Sequence, residues 1–253
     1  MAYIEILGHP TWATMGTEKD ATVLLLHGGL SNSDMMLDAM GAPLSNTYRV
    51  TAFDRRGHGR TADTEAPFHY AAMADETIAF LEQLGGPAHL IGWSDGGNVG
   101  LLVAMRRPDL VGRLVMIGSN YHHDGLLPMH VDDDSPVLAM MLANYSERAP
   151  DGADHFGEVV AKTFTMFATE PELTVDHLRA VSVPALVLVG DDDAIALSHT
   201  CSLYESIPGA QLAVVPGASH ALPLEQPDET VRIISRFLAG DATPTTVMPM
   251  RRA

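Results

Sequence analysis

The chain has 253 residues, 46% of them hydrophobic, and a formal net charge of −17. That length is enough to bury one sizeable α/β core, and so strong a negative charge repels phosphate backbones and anionic lipids, so neither nucleic acid nor a membrane surface is an expected partner. No apolar run approaches the roughly 20 residues of a membrane span, no basic-then-apolar leader is recognisable, and the single cysteine, Cys201, rules out an intrachain disulfide; a cytoplasmic protein is expected.

Short apolar runs alternate with helical periodicity along the chain. Thr22–Leu26 is leucine-rich and stops at His27-Gly28-Gly29, and Arg49–Phe53 stops at Asp54. Residues 71–84 place Met73, Thr77, Phe80, Leu81 and Leu84 on one stripe, which predicts an amphipathic helix. Residues 88–91 form a third apolar run, ended by Gly92, and a helix is predicted over 98–106, closed by Pro108. A fourth run spans 113–117. Two more, 185–189 and 211–215, end at glycine and at Pro216-Gly217, with helices predicted over 198–207 and 224–238. Near-continuous apolar strands alternating with helices predict an α/β fold, a mostly parallel, doubly wound sheet covered on both faces.

One stretch breaks the rhythm. Residues 119–184 show no strand pattern, while 137–145 and 155–168 look helical and carry Met140, Met141, Phe164, Met166 and Phe167. This predicts a helical cap inserted into a single core made of residues 1–118 and 185–240. Residues 241–253, rich in Pro and Thr, are expected to be a flexible tail or a homo-oligomer contact.

The chemistry concentrates in a few turns. Gly92-Trp93-Ser94-Asp95-Gly96 is a G-x-S-x-G motif between a predicted strand and a predicted helix. A serine on such a turn sits in strained backbone with its hydroxyl raised above the sheet and a helix N-terminus behind it. A serine hydroxyl needs a base at neutral pH. His220, in Pro216-Gly217-Ala218-Ser219-His220, follows the last strand, at the sheet edge where such folds build their sites. Gly190-Asp191-Asp192-Asp193 follows another strand at that edge. Asp193 is the expected acid that orients His220, with Asp191 and Asp192 solvated or capping the turn. The oxyanion donors are expected to be the N–H groups of Asp95 and Gly29, with Leu30 as the alternative to Gly29 and a substrate-side residue; His27 is expected to be structural. His122-His123-Asp124 and Asp132-Asp133-Asp134 lack metal-site spacing, so no metal is expected. No G-x-G-x-x-G or P-loop is present, so no nucleotide cofactor is expected.

The HGG loop, the segment Asp54-Arg55-Arg56-Gly57-His58-Gly59-Arg60, the elbow 92–97, and the turns 190–193 and 217–220 occur in one order over most of the chain. Together they resemble the serine hydrolase branch of the α/β-hydrolase superfamily. The resemblance implies Ser94, Asp193 and His220 as nucleophile, acid and base, and a loop 54–60 that shapes the sheet edge and the site rim. The elbow Gly-Trp-Ser-Asp-Gly-Gly further resembles the biphenyl hydrolase-like, or valacyclovirase, group. That implies an Asp95 that recognises the α-amino group of amino acid esters, although Asp95 in the first turn of a helix is also stabilised there by the helix dipole. Cleavage of a small carboxylic ester through an acyl-serine intermediate is the expected function. The alternatives are α-amino ester hydrolysis, a C–C hydrolase, lactonase or perhydrolase on the same fold, and a ligand-binding receptor.

Overall fold

The computed structural model of the protein describes residues 1–128, 135–241 and 246–248. Eight strands form one sheet: β1 (Ala2–Ile6), β2 (His9–Met15), β3 (Thr22–Leu26), β4 (Arg49–Phe53), β5 (Ala88–Trp93), β6 (Val111–Ile117), β7 (Ala185–Asp192) and β8 (Gln211–Ser219). Their order is β1-β2-β4-β3-β5-β6-β7-β8. The β1–β2 and β2–β4 pairs are antiparallel and every other pair is parallel.

Burial explains why the central strands read as continuous apolar runs. Leu114, Val115, Met116 and Ile117 in β6 are all 0% exposed. Alternate side chains of a strand point to opposite faces, so both faces here are covered. The helices are α1 (Ser33–Met36), α2 (Ala42–Ser45), α3 (Tyr70–Leu84), α4 (Asp95–Arg106), α5 (Pro136–Ser146), α6 (Phe156–Phe167), α7 (Val175–Arg179), α8 (Leu197–Ser206), α9 (Leu222–Glu225) and α10 (Pro227–Ala239). A π-helical segment, Leu37–Gly41, joins α1 to α2. Among the described residues no helix is long and apolar enough to cross a membrane.

Two expectations are corrected and one element is new. The β1–β2 hairpin had no counterpart in the sequence reading. The helix predicted over 224–238 is two helices: Gln226, ahead of Pro227, sits at φ −132° and ψ 60°, because a proline ring disfavours helical backbone in the residue before it. The helix predicted from residue 98 begins at Asp95, directly after the serine of the elbow. Among the described residues of 119–184, α5, α6 and α7 are present and the strand-type pairing is limited to isolated bridges, His122 with Glu172 and Leu126 with Ile195. The Asp132–Asp134 run and most of the 241–253 tail lie outside the described residues.

The register brings strand ends level. Leu26 pairs with Gly92, Trp93 with Ile117, and Asp192 with Ser219. The loops after β3, β5, β7 and β8 therefore open on one edge. The β7–β8 register shifts between Gly190 and Asp192, which turns the last residues of β7 out of the regular ladder just before Asp193.

Candidate active site

Ser94 joins β5 to α4 with φ 53° and ψ −119°. An L-residue rarely adopts that backbone, and it marks a strained turn. The turn closes because its flanks lack side chains: a Cβ on Gly92 would run into the Gly96 backbone, and one on Gly96 into the Leu26 carbonyl. Ser94 N–H donates to the Ile117 carbonyl at 2.7 Å, which ties the turn to β6, and its carbonyl accepts from Gly97 N–H at 2.8 Å.

Ser94, His220 and Asp193 come together from three loops. Ser94 Oγ lies 3.0 Å from His220 Nε2, and His220 Nδ1 lies 2.8 Å from Asp193 Oδ1. The Asp193 side chain is 2% exposed and His220 29%. Asp193 Oδ1 also accepts from Ile195 N–H at 2.9 Å, which fixes the carboxylate. The His220 turn is braced on three sides. The Trp93 indole donates to the His220 carbonyl at 2.8 Å. Asp191 Oδ1 accepts from Gly217 and Ala218 N–H, so Asp191 caps the turn before His220 and not its own turn after Gly190. Glu225 accepts from Ser219 through both its N–H and its hydroxyl. Asp192 closes the β7–β8 ladder opposite Ser219. With Asp193 accepting at Nδ1–H, His220 Nε2 is left free to accept the Ser94 proton.

The loop after β3 lies against the elbow. A Cβ on Gly28 would sit 3.4 Å from Ser94 Cβ, and one on Gly29 would sit 2.6 Å from Asp95 Oδ2 and 3.0 Å from Phe167 Cζ. At Gly29 only glycine lets this backbone come so close. Leu30 adopts φ 55° without being glycine, a second strained residue beside the site. Arg55, which the sequence reading placed only within a rim loop, anchors this strain. It is 1% exposed and donates from Nη1 to the His27 carbonyl at 2.7 Å and from Nη2 to the Gly28 carbonyl at 3.2 Å. Its own N–H donates to His27 Nε2 at 3.1 Å, so the ring carries its proton on Nδ1 and donates to the Gly28 carbonyl at 2.7 Å. Burial, reinforced by the Arg55 charge, holds the His27 pKa well below the usual histidine range, which keeps that ring neutral. His27 is thus structural in geometry. Asp54 in the same segment is buried and accepts from Ser33 and Arg60 N–H.

Asp95 is the first residue of α4, where an N–H has no intrahelical acceptor. Asp95 is 2% exposed. Oδ1 accepts from the Tyr70 hydroxyl at 2.6 Å, and Oδ2 has no hydrogen-bond partner. Burial raises the Asp95 pKa, against the opposing pull of the Arg55 charge and the Tyr70 hydrogen bond. Tyr70 connects onward: its N–H donates to Glu170 Oε2 at 3.0 Å, and Glu170 Oε1 pairs with His69. Tyr70 and Glu170 carry no sequence signature, because they meet Asp95 only through the tertiary fold.

Two cavities meet at Ser94 and His220, divided by Phe167. One holds about 40 Å³ and is lined by Tyr70, Asp95, Asn120 and Glu170 with Leu126 and Ile195. The other holds about 440 Å³ and is walled by Leu30, Leu138, Met140, Met141, Phe164 and Leu224. His122, His123 and Asp124 place one ligand-type atom each within 4.8 Å of one another, and His122 Nδ1 already accepts from Asp124 N–H at 3.2 Å.

Residues 23–233 match the alpha/beta hydrolase family. The chain belongs to that family. Curated relatives are hydrolases, and so is this chain. It is 26% identical to the putative carbamate hydrolase RutD of Caulobacter sp. (strain K31), over 90% of this chain and 94% of that one. It is 29% identical to the pimeloyl-[acyl-carrier protein] methyl ester esterase of Neisseria meningitidis serogroup B / serotype 15 (strain H44/76), over 86% and 93%. It is 26% identical to the serine hydrolase BPHL of Homo sapiens, over 87% and 80%, in line with the resemblance of the elbow. Among solved structures, CarC, a serine hydrolase of carbazole degradation, superposes with a TM-score of 0.78 over 94% of this chain and 97% of that one at 22% identity, a likeness of fold.

Proposed function

We propose that this hydrolase cleaves a small carboxylic ester through an acyl-serine intermediate, with Ser94 as nucleophile, His220 as general base and acid, and Asp193 as the group that orients the imidazole. The observation that carries the reading is the unbroken chain from Asp193 Oδ1 through His220 to Ser94 Oγ, at 2.8 and 3.0 Å. In the first step the Ser94 proton passes to His220 Nε2 while Oγ bonds to the carbonyl carbon. As the tetrahedral intermediate collapses, its bond to the alkoxide breaks and His220 returns the proton to the leaving oxygen. Water then repeats the sequence on the acyl-serine, releasing the acid and restoring Ser94. The N–H groups of Asp95 and Gly29 are the assigned oxyanion donors. This reaction uses no cofactor.

Residues 119–184 serve in this reading as a cap. Met140 and Met141 of α5 and Phe164 and Phe167 of α6 wall the larger cavity, and Glu170 reaches the smaller one. The relatives named for an ester and for a carbamate support acyl transfer at a carbonyl carbon as the reaction class.

A second reading, hydrolysis of α-amino acid esters, is favoured by one observation: the buried, unpartnered Asp95 Oδ2 beside Ser94 suits a cationic or neutral donor on the acyl part. Both readings share one test. A fluorophosphonate probe should label the wild type and leave Ser94→Ala unlabelled, with turnover of p-nitrophenyl acetate following the same pattern. A folded wild type that takes no label overturns the acyl-serine reading in favour of a ligand-binding receptor.

A further inference from the structure

The two cavities at Ser94 are unusual in what they lack. Among the described residues, no lysine or arginine lines either of them. Arg55, Lys162, Arg148 and Arg56 are already committed. Arg55 donates to the carbonyls of His27 and Gly28, which belong to the loop between it and the elbow. Lys162 Nζ donates to Asp63 and to the Thr64 carbonyl, both at 2.6 Å. Arg148 pairs with Asp34 at 3.0 Å, and Arg56 donates to Thr64, Ala66 and Pro67. What the smaller cavity offers instead is acceptors: Asp95 Oδ2, buried and unpaired, and the Glu170 carboxylate. The larger cavity, of about 440 Å³, is walled mainly by apolar side chains, with Ser94, His220, Ser135 and Ser219 as its polar members.

We propose that the site selects substrates by charge: it takes esters whose longer arm is uncharged and apolar, seated among Leu138, Met141 and Phe164, and it rejects arms that end in a carboxylate. This rests on the acyl-serine reading of the same site. The reason is desolvation. A carboxylate drawn into the larger cavity gives up water and meets no ammonium or guanidinium among its described lining residues; the Gly29 N–H and His220 are assigned to the reacting ester itself. Turned the other way, it faces Asp95 and Glu170, where like charge opposes it. A methyl ester cap on the same arm removes the charge and keeps the shape, so it removes the penalty. The cavity, and not the general negative charge of the surface, sets the discrimination.

The test compares kcat/KM for matched esters in both orientations. One series is p-nitrophenyl octanoate, mono-p-nitrophenyl octanedioate and its methyl-capped form. The other is octyl acetate, ω-acetoxyoctanoate and its methyl ester. In the series that is turned over, the capped ester should stay within about tenfold of the plain one, and the anion should fall about 100-fold or more below the capped ester. That ratio should persist in about 1 M NaCl, where interactions across the surface are screened. Met140→Lys, at the half-exposed rim of the larger cavity, should raise the rate on the anion relative to the capped ester at least about tenfold. An anion hydrolysed as fast as its capped form, a ratio that collapses in salt, or a ratio unmoved in Met140→Lys overturns the proposal. So does a labelled enzyme that turns over neither neutral arm. Fluorophosphonate labelling of Ser94 keeps the two readings apart: labelling with no charge discrimination defeats only this inference, and no labelling defeats the acyl-serine mechanism.

Discussion

The Trp93 indole and the His220 carbonyl are joined by a 2.8 Å hydrogen bond, so the residue before Ser94 holds the backbone of the proposed base. Trp93 is 4% exposed, and its removal would leave that carbonyl short of a donor and the His220 turn freer to shift. Trp93→Phe keeps most of the ring and loses the N–H. It should lower kcat on p-nitrophenyl acetate about tenfold, because small misplacements of a proton acceptor are costly, while KM changes little. An unchanged kcat would show that Asp191 and Glu225 hold the turn without Trp93.

Gly118 underlies the other half of the proposed triad. A Cβ there would stand 3.0 Å from both Asp193 Oδ2 and His220 Nδ1, in backbone at φ 56°. Gly118→Ala must strain the backbone and push the acid–base pair apart. We expect at least about a 100-fold loss of kcat with a folded far-UV CD spectrum. Gly86→Ala, where a Cβ meets nothing within 4 Å, is the control and should keep wild-type activity.

Asp63 ties the α6 region to the loop after β4. Its side chain is 1% exposed and meets Lys162 Nζ at 2.6 Å and His155 Nε2 at 3.0 Å, with Arg56 at 3.7 Å, while its N–H donates to Asp151. Burial pushes the Asp63 pKa up, but the bonds from Lys162 and His155 outweigh it and hold the carboxyl below its ordinary value. A folded pKa below the unfolded one gives stability that is complete above the unfolded value, near 3.9, and is lost as pH falls through the folded value. Asp63→Asn should therefore unfold at lower urea than wild type at pH 7, by about 2 kcal/mol, and the gap should narrow towards pH 3. A gap that stays constant over that range would mean that the charge of Asp63 contributes nothing.

Asp95 separates the two readings of substrate. Asp95→Asn keeps a partner for Tyr70 and removes the carboxylate. If Asp95 binds an amine, kcat/KM on α-amino acid esters should fall at least about 100-fold, against less than about tenfold on neutral esters of the same size. Equal losses on both would assign Asp95 to the elbow and the Tyr70 contact alone.

The parallel strands were legible because burial on both faces writes them as apolar runs, and Ser94, Asp193 and His220 were legible because each follows a strand end beside a glycine. The β1–β2 hairpin was not. Its turn, Leu7 at φ 51° and Gly8 at φ 80°, uses the left-handed backbone that Asn-Gly or Asp-Gly would have advertised, but with a leucine in the first place. Arg55, Tyr70 and Glu170 were out of reach for a different reason. Tyr70 and Glu170 stand 100 residues apart, and their hydrogen bond depends on how the segment after α6 returns across the sheet edge. The break before α10 was readable from Pro227, and the amphipathic stripe running through it concealed it.

The connection from β6 to β7 does two jobs. β6 and β7 are paired in parallel, from Leu114 with Ala185 to Ile117 with Leu188, so the chain leaves at one end of the sheet and must re-enter at the other. The five residues of α7 lie on that return, and α5 and α6 stand ahead of it at the larger cavity. Strand pairing and cavity wall are therefore written in separate stretches of sequence. Changes in α5 and α6 would alter the cavity wall without touching the strand ends from which Ser94, His220 and Asp193 hang, on β5, β8 and β7.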